Sequence, residues 1–150
     1  MAAPRRPDAV LFACNLNRVR SPMAEGLMKL LYGTRIYIDS CGMEPSGELD
    51  PFAVAVMQEI GADLTHHHAK SFEALSPSSF DLVVALTPEA YARALASTHA
   101  AAVDIEYWPT PDPTDATGDR EARLEAYRAT RDALRAHILR RFGEPSTKAG

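Results

Sequence analysis

The chain has 150 residues, of which 46% are hydrophobic, and a formal net charge of -4 at pH 7. This length buries enough apolar surface for one domain over 1–150, and the acidic balance argues against nucleic-acid or membrane-surface partners, since both require a basic surface. Two cysteines argue against a disulfide framework, and no apolar segment is long enough for a signal peptide or membrane span. We therefore expect a cytoplasmic protein.

The apolar pattern alternates between strand and helix along the chain. Strands are predicted over 9–14, 35–40, 80–86 and 102–107, and helices over 22–32, 51–60, 88–96 and 119–142, with 1–7 and 143–150 flexible. Alternating strands and helices predict an α/β fold, a three-layer α/β/α sandwich around a parallel sheet. Ligands of such sheets bind beyond the carboxyl ends of the strands, here the loops 14–21, 41–50 and 109–119.

The first predicted strand runs directly into CNLNRVRSP at 14–22, where five residues separate a cysteine from an arginine. Backbone N–H groups of such a loop can form a nest that binds an anion. Ser21 is a good N-cap and Pro22 a good first helical residue, so the nest would lie at the positive end of a helix dipole. Arg20 can bind two oxygens of the anion, and the same field favours the thiolate form of Cys14.

The segment CNLNRVRSPMAE at 14–25 resembles the loop of the low-molecular-weight protein tyrosine phosphatases, which has the form C-x-G-N-x-C-R-S-P-x-A-E. Further matches follow in the family's order at 39–40, 50–51, 61–70 and at Pro-Asp-Pro, 111–113, where the family carries its general acid. The chain is interpreted as a divergent member. The resemblance implies a four-stranded parallel sheet of order 2-1-3-4, and the order of the motifs differs from that of the larger tyrosine phosphatases.

The resemblance implies a cysteine-dependent phosphomonoester hydrolase, in the first instance a protein tyrosine phosphatase that forms a phosphocysteine. Cys14 would attack phosphorus, Arg20 would hold the equatorial oxygens, and Asp112 would protonate the leaving group and then activate water. The substrate would be a phosphorylated protein or a small phosphomonoester, and inorganic phosphate would also bind. No cofactor or metal is implied.

The resemblance also assigns roles to the remaining loop residues and to two residues outside the loop. Ser40 and His67 would hydrogen-bond to Asn17 and hold it in the left-handed conformation that a tight nest needs. The phosphate-binding segment would comprise Asn15, Leu16, Asn17, Arg18, Val19, Arg20 and Ser21. Ser21 would also donate a hydrogen bond to the departing thiolate.

Other interpretations of some residues stay open at this point. Asp112 lies between two prolines and is also a typical turn residue, which leaves Asp115 and Asp119 as alternative acids. The run of histidines at 66–68 suggests a metal only superficially, because consecutive side chains diverge and no further ligand spacing supports a site. Cys41 is expected to be a small buried hydrophobic residue rather than a redox partner.

Four positions depart from the family pattern. Leu16 stands where the family has glycine, and its side chain requires a negative φ at this position. Val19 stands where the family has a second loop cysteine, so no disulfide can form within the loop. Asn15 replaces a commonly apolar residue, and Thr114-Asp115 replaces a pair of tyrosines. The loop 41–50 contains no aromatic residue, and the nearest aromatic side chains are those of Tyr107 and Trp108. The phosphatase prediction is therefore stronger than the tyrosine preference.

Two other functions follow from these departures, and a third, arsenate reduction, from the fold and the first cysteine loop that such reductases share. A polar residue beside the nucleophile, Asn15, is compatible with a protein-arginine phosphatase of the same family. Leu16 and Val19 are compatible with a phosphate- or phosphoprotein-binding module that turns over little substrate. An arsenate reductase of this fold coupled to thioredoxin needs two further cysteines after the third strand, whereas this chain has none after Cys41.

Overall fold

The computed structural model describes residues 6–33, 35–98 and 102–145. Its four parallel strands form one sheet of order β2-β1-β3-β4, in which β1 is Ala9–Cys14, β2 is Tyr37–Gly42, β3 is Leu82–Ala85 and β4 is Asp104–Tyr107. The helices are α1 at Arg20–Tyr32, α2 at Pro51–Gln58, α3 at Pro88–Thr98 and α4 at Arg120–Phe142, with short 3-10 helices at Glu73–Leu75, Pro77–Ser79 and Pro113–Asp115. The predicted sandwich and strand order are confirmed.

The central strand β1 is apolar because helices cover both of its faces. Val10 and Phe12 pack into one cluster with buried residues of α1, α2 and α4, whereas Leu11 and Ala13 pack into a second cluster on the other face with residues of α3. All four side chains are fully buried. A parallel strand buried on two sides needs an uninterrupted apolar run, which is what the sequence supplies.

Several element boundaries differ from the prediction. The expected N-cap role of Ser21 is wrong, since α1 begins at Arg20 and no side chain caps it. The strand β2 begins two residues later than expected, and α2 ends at Gln58, before Gly61, which adopts a φ of +84°. Most of the termini expected to be flexible fall outside the described residues, although the Arg6 guanidinium donates to the Phe142 carbonyl over 2.8 Å.

The loop after β1 lies directly against the end of β2. Met43 N donates to Cys14 O over 3.0 Å, and Glu44 N donates to Asn15 O over 2.8 Å. A Cβ atom at Gly42 would lie 2.6 Å from Asn15 O and 2.9 Å from Asn17 N. Only glycine fits there, because both neighbours are backbone atoms that cannot move independently.

The long helix α4 is connected to the same loop through a buried carboxylate. The Tyr127 hydroxyl donates to Asp50 Oδ2 over 2.8 Å, while Asp50 Oδ1 caps α2 by accepting from Phe52 N. The backbone N–H of Asp50 donates in turn to Arg18 O over 3.2 Å.

No helix in the described ranges is long and apolar enough to cross a membrane.

We predict that Tyr127→Phe lowers the free energy of unfolding by about 2 kcal/mol, because it removes a buried hydrogen bond to a charged group. Burial and the Asp50 carboxylate both raise the pKa of the Tyr127 hydroxyl, which keeps it a donor. Urea unfolding measures the change. Tyr37→Phe is the matched control, since Tyr37 is 62% exposed, and equal effects of the two substitutions would contradict the prediction.

Candidate active site

The loop between β1 and α1 turns sharply at Asn17. This residue adopts a φ of +59° and is fully buried. The left-handed conformation expected at Asn17 is therefore present. Leu16 does not share it, since among the described non-glycine residues only Asn17 and Ser76 have positive φ. The Leu16 side chain is 44% exposed, so the loop accommodates it by directing it outward.

Cys14 ends β1 and lies at the floor of the loop, where it is buried. Its Sγ lies 2.8 Å from Ser21 Oγ. The Ser21 hydroxyl accepts from Asn17 Nδ2 over 2.8 Å and also lies within 3.3 Å of the Cys41 carbonyl, to which it can donate. Because Asn17 occupies an acceptor position of Ser21, the Ser21 proton is left available for a thiolate or for that carbonyl.

Both hydrogen bonds expected for Ser40 and His67 with Asn17 are present. Asn17 Nδ2 donates to Ser40 Oγ over 3.1 Å, and His67 Nε2 lies 3.0 Å from Asn17 O. Two further partners were not anticipated from the sequence: Lys70 N donates to Asn17 Oδ1 over 3.0 Å, and Ser40 Oγ donates to Glu25 Oε1 over 2.5 Å. Lys70 and Glu25 lie in the segments 61–70 and 14–25, which match the family. That match is the sequence signal that could have identified them.

Arg20 and Asp112 meet at the opening of the loop. Arg20 Nη1 donates to Thr110 O over 2.9 Å, and Arg20 Nη2 lies 3.6 Å from Asp112 Oδ2. The other carboxylate oxygen, Asp112 Oδ1, accepts from the backbone N–H and the hydroxyl of Thr114. One oxygen of Asp112 is thus used to hold the loop, while the other faces Arg20 and is partly exposed.

The alternative acids lie elsewhere. Asp119 caps α4 by accepting from Ala122 N over 2.8 Å. Asp115 lines a groove of about 610 Å³ between the loop 109–116 and α4, which contains neither Cys14 nor Arg20. Asp112 also lines this groove, but unlike Asp115 it lines the cavity that contains Cys14 and Arg20 as well. Of the three candidates only Asp112 faces the loop that carries Cys14.

A cavity of about 530 Å³ lies over the loop. It is lined by Cys14, Asn15, Leu16, Asn17, Arg18, Val19, Arg20, Met43, Glu44, Glu89, Asp112 and Thr114. No aromatic side chain of the described residues belongs to this lining. Tyr107 stacks on Tyr91 with 5.0 Å between ring centroids, and the buried Trp108 stacks on His137 at 3.9 Å, so neither is available to the cavity wall.

The second cysteine lies on the neighbouring strand, near the first, but its side chain is on the other face of the sheet. Cys41 pairs with Ala13 in the sheet and packs in the cluster on the face opposite to Cys14. Burial raises the pKa of its thiol, so Cys41 behaves as a buried apolar residue. In the described part of the chain no three His, Cys, Asp or Glu side chains are grouped so that they could hold a metal.

A model of the family described as low molecular weight phosphotyrosine protein phosphatase matches residues 9–141. The chain belongs to this family. The family resemblance read from the loop motif is therefore confirmed, and residues 9–141 include Cys14, Arg20 and Asp112.

The named relatives within this fold carry out different reactions. The arsenate reductase of Bacillus subtilis is 32% identical over 90% of this chain and 94% of that protein. The glutaredoxin arsenate reductase of Synechocystis sp. is 38% identical over 51% of this chain, which spans 58% of that protein. A structure of the YwlE arginine phosphatase of Bacillus subtilis, a mutant with a phosphorylated active-site serine, has a TM-score of 0.72 and 25% identity over 90% of this chain and 93% of that one.

We predict that the free energy of unfolding falls as the pH is lowered from about 7 to about 5, and that His67→Gln removes part of this fall. Burial lowers the pKa of His67, although the Asn17 carbonyl and the Glu25 carboxylate oppose the effect. The unfolded chain therefore binds the proton at higher pH than the folded protein does, so acid favours unfolding.

Urea unfolding at several pH values measures this slope. His66→Gln is the matched control, an exposed histidine in the same segment. An unchanged slope in His67→Gln, or an equal loss in both variants, would refute the assignment to His67.

Proposed function

We propose that this protein is a cysteine-dependent phosphomonoester hydrolase that acts on a cytoplasmic phosphorylated protein, with phosphotyrosine as the first candidate group. The observation that carries the proposal is that Cys14, Arg20 and Asp112 line one cavity. A nucleophile, a fixed cation and a partly exposed carboxylate are together sufficient for phosphoryl transfer without a metal.

In the first step the Cys14 thiolate attacks phosphorus and the bond from phosphorus to the leaving oxygen breaks. Arg20 and the N–H groups of the loop stabilise the negative charge on the equatorial oxygens. They do so without rearrangement, because they are already in place before the reaction. Asp112, protonated at the start, gives its proton to the leaving oxygen. The products of this step are the free alcohol and a phosphocysteine.

In the second step water attacks the phosphocysteine. Asp112, now a carboxylate, accepts a proton from this water, and inorganic phosphate and the Cys14 thiolate are released. The hydroxyl of Ser21, 2.8 Å from Cys14 Sγ, supports this step because it can donate to the thiolate as it leaves. Asn17 keeps that hydroxyl oriented by donating to its oxygen.

Arsenate reduction is the second candidate, favoured by the names of the relatives. Arsenate resembles phosphate in shape and charge, so the loop would accept it. Reduction also requires further thiols that reduce the oxidised Cys14 again. Cys41 is not placed for this, because its side chain packs on the opposite face of the sheet. The chain has no third cysteine, so reduction would need thiols from outside, and hydrolysis is the simpler function.

We predict that the protein hydrolyses p-nitrophenyl phosphate without added metal, best at mildly acidic pH, and that Cys14→Ser abolishes turnover. The serine variant should keep the loop and bind phosphate, because its hydroxyl replaces only the thiol. Release of p-nitrophenolate measures the rate, and a thermal shift with inorganic phosphate checks that the variant still binds.

Two outcomes would overturn the hydrolase proposal. Phosphate binding without turnover above the Cys14→Ser control would indicate a phosphate- or phosphoprotein-binding module. Arsenate reduction with an external thiol, in the absence of phosphatase activity, would favour the second candidate.

We predict that Asp112→Asn slows hydrolysis of alkyl and phenyl phosphates far more than that of p-nitrophenyl phosphate, because a good leaving group needs less protonation. The expected loss is about 100-fold or more for a poor leaving group. Asp115→Asn is the matched control on the same loop. A small and uniform effect of Asp112→Asn, or an equal effect of Asp115→Asn, would move the acid role away from Asp112.

A further inference from the structure

We propose that Glu44 and Glu89 make the cavity over the loop select substrates that carry a cationic group next to the phosphate. The inference rests on the proposed phosphatase function and names the substrate class for the same site. Its basis is the placement of two exposed acidic residues in the lining of the cavity that contains Cys14 and Arg20.

Glu89 is held beside the nucleophile by the start of α3. The Thr87 hydroxyl donates to Asn15 Oδ1 over 2.8 Å and accepts from Ala90 N, so the Asn15 side chain is fixed to the N-terminus of this helix. Asn15 Nδ2 lies 3.4 Å from Glu89 Oε1 and donates to it. Glu89 therefore stands over the residue that directly follows Cys14.

Glu44 is placed from the other neighbouring strand. It follows β2 by two residues, and its backbone N–H donates to Asn15 O over 2.8 Å. Asn15 is thus hydrogen-bonded to both acidic residues: its backbone carbonyl accepts from Glu44 N, and its side-chain amide donates to Glu89. The two residues line the same cavity, Glu44 from the end of β2 and Glu89 from the start of α3.

Neither carboxylate is neutralised by an ion pair within the described ranges. Arg18 and Arg20 of the same lining attract a phosphate dianion that approaches Cys14, whereas the two glutamates repel it. A cation on the substrate reverses this effect, since it would meet the same carboxylates in a partly enclosed cleft. The described lining contains no aromatic side chain. Charge, rather than stacking against a ring, would therefore distinguish one leaving group from another.

The cation can come from two sources of the same chemistry. It is either a basic residue next to a phosphotyrosine in a peptide or the guanidinium group of phosphoarginine itself. Both place a positive charge within a side-chain length of phosphorus. The experiment therefore includes one pair of ligands for each source.

Binding to the Cys14→Ser protein tests the proposal without requiring turnover. The first pair is a phosphotyrosine peptide with arginine neighbours and the same peptide with glutamate neighbours. The second pair is a neutral peptide that carries phosphoarginine and the same peptide with phosphotyrosine. Fluorescence anisotropy of labelled peptides gives the four dissociation constants at low salt and at about 1 M salt, where the Debye length is about 3 Å.

We expect at least one cationic ligand to bind more tightly than its counterpart, by about three-fold for each carboxylate, with the difference lost at high salt. The Glu44→Gln/Glu89→Gln double variant should weaken binding of the cationic ligand and strengthen binding of the glutamate peptide. The pair that shows the effect identifies the source of the cation.

Glu48→Gln is the matched control, because Glu48 is exposed on the same loop but does not line the cavity. The proposal is overturned if neither pair shows a difference, or if the difference persists in the double variant or disappears equally in the control. Failure of the phosphatase function is seen separately, as no turnover of p-nitrophenyl phosphate by the unsubstituted protein.

Discussion

The buried side chain of Asn17 is the constraint on which the rest of the site depends. A non-glycine residue in the left-handed region is strained, and the strain is maintained by hydrogen bonds to Ser21, Ser40 and Lys70 and by the contact of its carbonyl with His67. These partners come from α1, β2 and the segment after α2. The turn at Asn17 is therefore held by three separate segments of the chain rather than by local preference.

The apolar central strand and the alternation of strands and helices are local signals, and they predicted the sandwich. The strand order and the grouping of Cys14, Arg20 and Asp112 followed from the family resemblance of the loop motif. The N-cap predicted at Ser21 was wrong, because no side chain caps α1. Ser21 looks like an N-cap, but its hydroxyl is buried between Cys14 and Asn17, where it satisfies polar groups that water cannot reach. The cavity wall was equally hidden, since Glu89 reaches it only through the packing of α3 against the loop.

The departures from the family pattern concern the wall of the cavity over the loop and the second loop cysteine. They do not change Cys14, Arg20 or Asp112. Leu16 points outward, and Val19 packs in the apolar core where a cysteine would otherwise lie beside the nucleophile. Cys41, the other cysteine of the chain, lies near Cys14 but packs on the other face of the sheet. Arg20 and Asp112 still face each other at the opening of the loop.

The close approach at Gly42 has a consequence for how this site can diversify. Backbone atoms of Asn15 and Asn17 lie within 3 Å of where a Cβ of residue 42 would be, so the end of β2 sets the path of the loop together with the hydrogen bonds of the Asn17 side chain. Leu16, whose side chain is 44% exposed, can then be exchanged without moving the loop backbone. Substitutions at such positions can alter what the cavity recognises while the path of the loop stays the same.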